Sequence, residues 1–277
     1  MGIRWLYAPG RRNLTFTRLW GVRGEIRLEL FWDAGLCFFR FGMHPPGRKG
    51  PGGAVLESSS VTEKPLLVLA SNSPRRRQLL SLTGWNFIVS AADVDESLHA
   101  NEPPADYVLR LAEKKARAIR ADQLILAADT TVVDGADILG KPKDSAEATA
   151  MLKRLRGHAH QVYTGIALLR PSDGLLLTDL CVTDVPMREY SDEEIEGYVQ
   201  TGDPLDKAGA YAIQHPEFRP VARMDGCFAS VMGLPVCHVI RLMRKMDIQP
   251  ETDFFLSCET LLEYQCPVSN AILNGEM

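Results

Sequence analysis

The stretch that most constrains the fold is residues 65–77, where an apolar run changes abruptly into a polar turn and then a helix. Residues 66–70 are all apolar, too few for a helix, and predict a short buried strand. The Ser-Asn-Ser at 71–73 favours turns and helix caps, and Pro74 suits the first position of a helix. The helical pattern continues to Gly84, a natural stop. The chain is therefore predicted to run from strand through a tight turn into a helix.

Three arginines, Arg75, Arg76 and Arg77, fall in the first turn of this predicted helix. The N-terminus of a helix carries unpaired N–H groups and the positive end of the helix dipole, so cations there are locally unfavourable. A bound polyanion explains the arrangement, because N–H groups and guanidinium groups can then bind the same ligand. A basic surface patch is the alternative interpretation.

The composition is that of a globular protein with a full hydrophobic core. Of the 277 residues, 45% are hydrophobic and 24% charged, and the formal net charge is -4. An acidic chain argues against a dedicated nucleic-acid binder, and no apolar run has the length of a membrane span. We therefore expect a cytoplasmic protein without a nucleic-acid or membrane partner. The six cysteines have no CxxC spacing, which favours reduced thiols over a disulfide framework or a zinc site.

The chain divides into three predicted parts. Residues 1–60 have recurrent arginines, no acid before Glu25 and a Pro/Gly-rich stretch at 44–53, so we expect an extension and linker with little order. Residues 25–31 nevertheless alternate like a strand. Both an organelle transit peptide and a start codon assigned too far upstream are compatible with this segment. Residues 61–246 form the predicted domain, and residues 247–277 an appended C-terminal tail with a short helix at 259–264.

Strands and helices alternate through the predicted domain. Apolar runs indicate strands at 86–91 and 124–128, paired strands at 162–169 and 174–185, and periodic patterns indicate helices at 104–120, 145–155, 191–200 and 236–246. This alternation predicts a three-layer α/β fold with a mainly mixed β-sheet.

Polar side chains follow two of these strands. Asp129 and Thr130 come directly after the strand at 124–128, as the Ser-Asn-Ser turn follows the first strand. Ligands of open α/β sheets bind beyond the carboxyl ends of strands. Lys115 and Lys141 add cations, and cations together with a carboxylate are what hydrolysis of a phosphate ester or anhydride needs. Taken singly, Asp129 is equally compatible with a turn cap, and the two lysines with solvated surface residues.

Five motifs resemble the signature of the Maf nucleotide pyrophosphatases and follow one another in the same order as in that family, over about residues 66–243. They are Leu-Ala-Ser-Asn-Ser-Pro-Arg-Arg at 69–76, Leu-Ala-Glu-Lys-Lys-Ala at 111–116, Ala-Asp-Thr at 128–130, Gly-Lys-Pro at 140–142 and Asp-Lys-Ala-Gly-Ala-Tyr-Ala-Ile-Gln at 206–214. The resemblance implies a three-layer Maf/ITPase-like fold with an elongated mixed β-sheet and a substrate cleft. It also implies hydrolysis of nucleoside triphosphates to the monophosphate and pyrophosphate.

The resemblance implies a role for each matching residue. Asp129 is the expected proton acceptor that activates water, and Glu96, in an acidic loop, is the expected second carboxylate for a divalent cation, Mg²⁺ or Mn²⁺. The positions that hold the triphosphate are Ser73, Arg76, Lys115 and Lys141, and those that select the base are Arg75, Thr130 and Gln214.

The family has two branches, and the residue after the catalytic aspartate separates them. In the dTTP/UTP branch it is Thr and the last motif ends in Gln, whereas in the 7-methyl-GTP branch it is typically Gln. Thr130 and Gln214 place this chain in the first branch, with modified pyrimidine nucleotides as further candidate substrates. The chain departs from the family at Ala212, where Gly is usual, and at 215–218, where His-Pro-Glu-Phe replaces a Gly-rich continuation.

Three other interpretations remain beside this enzyme. The chain could belong to the 7-methyl-GTP branch, be a binding protein that restrains cell division without catalysis, or use its arginine-rich start to bind nucleic acid. An intact Asp129 with its cations argues against a purely binding role, and the acidic total argues against nucleic acid. The sequence also allows a homodimer.

Overall fold

In the computed structural model, residues 67–276 are described in full and the segments 13–21, 24–33 and 36–44 by their backbone. The chain separates into two compact units, Met1–Val61 and Thr62–Met277. The division of the chain at residues 60 and 246 stays a prediction.

The first unit contains a small sheet where the sequence analysis expected little order. Strands β1 (Asn13–Gly21), β2 (Gly24–Asp33) and β3 (Leu36–His44) are antiparallel and adjacent in that order. The strand-like pattern at 25–31 lies within β2, and alternation of apolar and polar residues favours such strands. Apart from His44, the predicted linker at 44–53 lies outside the described residues.

The predicted strand–turn–helix unit opens the second unit. Strand β4 (Leu67–Leu69) is buried and leads through a polar turn into α1 (Pro74–Ser81). Ser73 caps this helix, because its Oγ accepts a hydrogen bond from the backbone N–H of Arg76 at 3.4 Å. After the helix, Gly84 has a φ of +77°, a conformation that glycine adopts without strain.

A six-stranded mixed sheet is the centre of this unit. Its strands are, from edge to edge, β5 (Phe87–Val89), β4, β6 (Leu124–Asp134), β8 (Ala159–Arg170) and β9 (Leu175–Pro186), while β7 (Asp137–Leu139) pairs with β6. Strand β4 runs parallel to β5 and β6, and the pairs β6–β7, β6–β8 and β8–β9 are antiparallel. The helices on its two faces include α2 (Pro104–Ala118), α3 (Ser145–Leu155), α4 (Asp192–Gln200), α5 (Phe228–Val231) and α6 (Val236–Arg244).

Alternating strand residues separate two hydrophobic cores on the two faces of the sheet. Leu67 and Leu69 belong to the larger core, with α1, α3, α4 and α6, whereas Val68 between them belongs to the smaller one. Helix α2 covers the smaller core through Ala112 and Ala116, which are both fully buried. The molecule thus has a helix layer on each side of the sheet, and the predicted three-layer α/β fold is confirmed.

Gly165 sets how closely α2 approaches the sheet. A Cβ atom at this position would lie 2.7 Å from the backbone carbon and oxygen of Val108 in α2. Real Cβ contacts are longer, so a larger residue would push the helix outward. Gly165 also stands opposite Asp129 in the β6–β8 register, so it fixes the distance of α2 from that carboxylate.

Residues 247–276 pack on the domain instead of trailing from it. They contain α7 (Phe254–Leu262) and α8 (Ser269–Asn274), and the side chains of Phe254 and Ile272 are buried. Trp85 Nε1 donates a hydrogen bond to the carbonyl of Gln249 at 2.8 Å. The short helix predicted at 259–264 overlaps the end of α7. None of the helices that the structure describes is long and apolar enough to cross a membrane.

Candidate functional site

A cleft of about 600 Å³ opens beside the polar turn after β4. Its wall combines that turn with β6, the segment 203–214 and the segment 231–233. The sequence predicted that Asp129 follows the end of strand β6. In the structure β6 continues to Asp134, so Asp129 lies within the strand. The β-branched Thr130, Thr131, Val132 and Val133 favour this continuation. Because β4 stops at Leu69, the second half of β6 is left to line the cleft.

Lys115 joins the two predicted metal-binding carboxylates. Its Nζ lies 2.6 Å from Asp129 Oδ1 and 2.6 Å from Glu96 Oε1. Lys115 and Asp129 are buried, whereas Glu96 stands at the edge of the cleft. Burial alone would raise the pKa of Glu96, but the hydrogen bond from Lys115 and the charges of Lys115, Lys141 and Arg76 hold that pKa below its usual value. Both carboxyl groups therefore face one ammonium group, and Glu96 is kept ionised.

Arg76, which the sequence analysis assigned to the triphosphate, lines the cleft and is also held by three hydrogen bonds within the protein. Its Nε donates to the carbonyl of Gly233 at 2.8 Å, Nη1 to Ser71 Oγ at 3.3 Å and Nη2 to Thr130 Oγ1 at 3.2 Å. Burial lowers its pKa, and the negative charges of Asp129 and Glu96 oppose that effect. Arg76 thus ties three parts of the cleft wall together while keeping a positive charge beneath it.

A directed chain of hydroxyl groups continues from Arg76 across the sheet. Thr164 Oγ1 donates to the carbonyl of Ser230 at 2.9 Å, and it lies 3.0 Å from Thr130 Oγ1. A hydroxyl has a single hydrogen, and the hydrogen of Thr164 is used on Ser230. Thr130 must therefore donate to Thr164 and accept from Arg76 Nη2. Thr130 has no hydrogen left for a ligand and can contact one only as an acceptor.

The other predicted residues lie on the open wall of the cleft. Arg75, Lys141, Ser73 and Gln214 all line it, and Lys141 and Gln214 are exposed. Arg75 Nε is buried and has no partner within the described part of the chain. Buried N–H groups normally have an acceptor, so this donor is unsatisfied in the structure. The structure therefore brings the predicted phosphate-binding and base-selecting residues to one cleft, with Asp129 beneath Lys115.

The segment that departs from the family pattern forms the support of Gln214. Phe218 stacks on Tyr198, with ring centroids 4.3 Å apart, and the Tyr198 hydroxyl accepts a hydrogen bond from the backbone N–H of Ala212 at 2.9 Å. Tyr198 in turn donates to Asp203 Oδ2 at 2.7 Å. Aromatic packing here replaces the Gly-rich continuation and fixes the backbone beside Gln214.

Lys207 is a buried cation of the cleft to which the sequence analysis gave no role. Its Nζ lies 2.8 Å from Asp203 Oδ1 and 2.6 Å from Asp206 Oδ1, and all three residues line the cleft. The segment 206–214 was recognised as a motif, but its irregular, small-residue sequence gives no signal for an ion-paired lysine. Only the 3-10 turns at Asp203–Asp206 and Ala208–Ala210 bring these groups together.

The carboxylates of the cleft fit a divalent cation that a phosphate ligand helps to bind. Asp129 and Glu96 both offer oxygen atoms to the single point now contacted by Lys115 Nζ. Among the described residues, no three carboxylate, imidazole or thiol groups are placed to hold an ion by themselves. Mg²⁺ usually takes one or two carboxylates and completes its shell with water and substrate phosphates, so two carboxylates are a sufficient protein contribution.

Comparison with known proteins gives one family for most of the second unit. The model of the Maf-like protein family matches residues 66–246. A dTTP/UTP pyrophosphatase of Hahella chejuensis is 46% identical over 193 residues, which cover 68% of this chain and 95% of that protein. A dTTP/UTP pyrophosphatase of Anaeromyxobacter dehalogenans is 46% identical, and the match covers 65% of this chain and 94% of that protein. A dTTP/UTP pyrophosphatase of Dehalococcoides mccartyi is 42% identical, and the match covers 69% of this chain and 86% of that protein. The chain therefore belongs to the Maf-like protein family.

Proposed function

We propose that this protein is a hydrolase that cleaves dTTP and UTP to the nucleoside monophosphate and pyrophosphate. The observation that carries the proposal is the cleft lined by Lys115, Glu96, Arg75 and Lys141, with Asp129 paired to Lys115 behind its wall. Its volume of about 600 Å³ is in the range of small-molecule sites. The relatives are named dTTP/UTP pyrophosphatases, which agrees with this chemistry. Neither a 7-methyl-GTP enzyme nor a non-catalytic cell-division protein is favoured.

The cations of the cleft account for binding of the triphosphate. Lys141 and Arg75 line the open wall, and Lys115 has its ammonium at the cleft floor. Ser73, at the N-terminus of α1, adds a hydroxyl group and the partial positive charge of a helix start. Three of the five N–H donors of Arg76 are used within the protein, so we assign Arg76 to positioning this wall and, through its charge and its two remaining hydrogens, to the triphosphate. Negative charge that develops on the departing pyrophosphate would be neutralised by these groups.

Asp129 is the group that we assign to accepting the proton of the attacking water. The water oxygen bonds to the α-phosphorus, the bond from that phosphorus to the bridging oxygen breaks, and pyrophosphate leaves. In the structure, Asp129 is paired with Lys115. A triphosphate offers oxygen atoms to the same ammonium group, and sharing Lys115 with these oxygens would weaken its hold on the carboxylate. Asp129 and Glu96 would hold Mg²⁺ or Mn²⁺, which supplies further neutralisation of phosphate charge.

Gln214 and Arg75 are the residues that we assign to the pyrimidine base. Thymine and uracil present a carbonyl, an N–H group and a second carbonyl, and the amide of Gln214 can both donate and accept. Arg75, which lines the cleft, contributes guanidinium donors. Thr130 accepts a hydrogen bond from Arg76 Nη2 and gives its own hydroxyl hydrogen to Thr164. We therefore assign its effect on base selection to the position in which it holds Arg76.

The test is pyrophosphate release from dTTP, UTP and 7-methyl-GTP with added Mg²⁺ or Mn²⁺. We expect turnover of the first two and little of the third, and Asp129→Asn should slow it by about a hundred- to ten-thousand-fold. UTP affinity, measured by calorimetry, should persist because the cations of the cleft remain. The circular dichroism spectrum should also be unchanged, which shows that the variant is folded. Asp137→Asn, which removes an exposed carboxylate outside the cleft, is the control. A rate of Asp129→Asn within a few-fold of the parent would show that Asp129 is only structural.

Two further properties belong to the proposal. We assign the protein to the cytoplasm, acting on free nucleotides without a nucleic-acid or membrane partner, and we include a homodimer as its assembly. Light scattering during size-exclusion chromatography measures the assembly directly, and a mass of one chain would refute the dimer.

A further inference from the structure

Glu96, which we assign to the divalent cation together with Asp129, stands on a loop that contains neither helix nor strand. Residues 90–103 connect β5 to α2, and residues 95–100 of this loop are all exposed. Fixing the backbone of such a segment costs conformational entropy, and a ligand must supply it on binding unless the protein has supplied it in advance. The affinity of Glu96 for a cation therefore depends on what holds this loop.

Three consecutive carbonyl groups of the loop, at residues 95–97, accept hydrogen bonds from side chains of α2. The donors are, in the order of the loop residues, Lys114 Nζ at 2.7 Å, the Tyr107 hydroxyl at 3.0 Å and Arg110 Nη2 at 3.0 Å. We call these three side chains the loop clamp. All three bonds end on backbone oxygen atoms, so none of them uses the carboxylate of Glu96.

The donors share one face of α2 because of their spacing. Residues 107, 110 and 114 are separated by three and four positions, which places their side chains one above the other along a helix. Lys115 follows on the neighbouring buried face, and its Nζ lies 2.6 Å from Glu96 Oε1. One helix therefore holds the backbone around Glu96 and also contacts its carboxylate. Since Gly165 fixes how closely this helix approaches the sheet, the loop takes its position from the sheet that carries Asp129.

The charges of the loop clamp are balanced by neighbouring carboxylates. Arg110 Nη2 lies 2.7 Å from Glu102 Oε2, and Lys114 Nζ lies 3.7 Å from Asp95 Oδ2. Burial raises the pKa of Tyr107, as do the negative charges of Asp129 and Glu96, so its hydroxyl keeps the hydrogen that it donates. The loop clamp thus acts on Glu96 through geometry more than through charge.

We propose that Tyr107, Arg110 and Lys114 are positioning residues that set how tightly the cleft binds its divalent cation. They hold Glu96 toward the point that Asp129 Oδ1 also reaches, so both carboxylates are in place before the cation binds. This inference rests on the proposed function, because it concerns the cation of the same site. Two carboxylates leave most of the coordination shell to water and phosphate, which makes the placement of each carboxylate important.

The main variant is Tyr107→Phe, which removes one hydrogen bond to the loop and changes no charge. Electron paramagnetic resonance of unbound Mn²⁺ measures the affinity of the full chain in the presence of a UTP analogue with a methylene group between the α- and β-phosphorus atoms. Loss of one hydrogen bond should weaken Mn²⁺ binding by about two- to tenfold. Calorimetry with a chelator present should show unchanged affinity for the analogue, whereas a general structural defect would weaken both.

Lys114 separates geometry from charge. Lys114→Met removes a positive charge, which by itself would favour a bound cation, yet we expect weaker Mn²⁺ binding because the loop loses a donor. Lys114→Arg keeps a donor and should restore the affinity. Tyr163→Phe is the matched control, because this hydroxyl donates to Gln161 Oε1 at 3.0 Å and lies outside the cleft. Tighter Mn²⁺ binding by Lys114→Met would overturn the proposal.

A double-variant cycle shows whether Tyr107 acts through Glu96. In a Glu96→Gln background, Tyr107→Phe should have little further effect on Mn²⁺ affinity, because the carboxylate that it positions is gone. If the parent hydrolyses UTP but Tyr107→Phe binds Mn²⁺ as the parent does, or if the two substitutions are fully additive, the loop clamp alone is overturned. A parent that neither binds Mn²⁺ nor releases pyrophosphate overturns the proposed function, and the loop clamp with it.

Discussion

At the scale of single residues, Thr164 is the middle group of the hydroxyl chain behind the cleft. It is fully buried, and its hydroxyl contacts both Thr130 and the carbonyl of Ser230. Thr164→Val keeps the shape but leaves two buried polar groups without this partner, which costs about 1–3 kcal/mol. We expect lower stability and poorer selection of dTTP and UTP over other triphosphates, because Thr130 and Arg76 lose their fixed orientation.

Thr164→Ser tests this role, since serine keeps the hydroxyl group. It should restore base selection, measured as the ratio of kcat/KM for UTP to that for other triphosphates. Thr183→Val changes a buried threonine of β9 outside the cleft and is the matched control. Equal selection by Thr164→Val and the parent would show that the hydroxyl chain has no part in specificity.

Gln214 is the residue whose loss should affect the base more than the phosphates. It is exposed on the cleft wall, with its backbone held by the Tyr198 and Phe218 packing. Gln214→Ala should reduce discrimination between pyrimidine and purine triphosphates more than it reduces turnover of the best substrate. Competition assays with mixed triphosphates measure this ratio, and Gln200→Ala, an exposed glutamine of α4, is the control. A uniform loss with unchanged ratios would argue against a base contact.

At the scale of secondary-structure elements, the contact of α2 with β8 sets the distance between Lys115 and Asp129. Gly165→Ala would place its Cβ 2.7 Å from the backbone of Val108. The resulting shift of α2 should cost about 1–3 kcal/mol of unfolding free energy. It should also move Lys115, which α2 carries, away from Asp129, so activity should fall as well.

The control is the same substitution at a glycine with free space. A Cβ at Gly197, in α4, meets no atom within 4 Å. Gly197→Ala should therefore stabilise the protein by up to about 1 kcal/mol, because alanine is the better helix former. Urea denaturation measures the unfolding free energy of both variants, which should fall for Gly165→Ala and rise for Gly197→Ala. If Gly165→Ala were as stable and active as the parent, the close approach of α2 would not matter.

At the scale of the whole molecule, the two ends of the chain should differ in importance. A chain that begins at Val61 should keep the melting temperature and the pyrophosphate release of the full protein. The chain separates at that residue into compact units, and the family match begins at residue 66. An insoluble or inactive truncated protein would make residues 1–60 part of the domain.

Removal of residues 247–277 is the contrasting truncation. Phe254 and Ile272 are buried, and burying one such side chain stabilises a protein by about 1.5–3 kcal/mol. Loss of the segment should therefore lower the melting temperature, which thermal denaturation followed by circular dichroism would show.

The sequence by itself determined the local elements and supplied the candidate residues of the site. The apolar run before Ser71–Asn72–Ser73, the proline at the start of α1 and the Ser191 and Glu194 capping pair are local signals, and all are present as helix or strand ends. Helix α3 was predicted at its observed bounds, 145–155. Eight of the nine predicted site residues came from short motifs, and the ninth, Glu96, came from its place in an acidic loop.

Only the tertiary structure decided what those side chains do. Nothing in the sequence indicated that Arg76 is also anchored, whereas in the structure Gly233, 157 positions away in the sequence, accepts its Nε hydrogen. The loop at 90–103 has no periodic pattern, yet three side chains of α2 hold its backbone. The reason is physical: helix caps, turns and strand patterns depend on neighbours along the chain, whereas hydrogen-bond partners, burial and charge pairing depend on groups that meet only when distant segments pack.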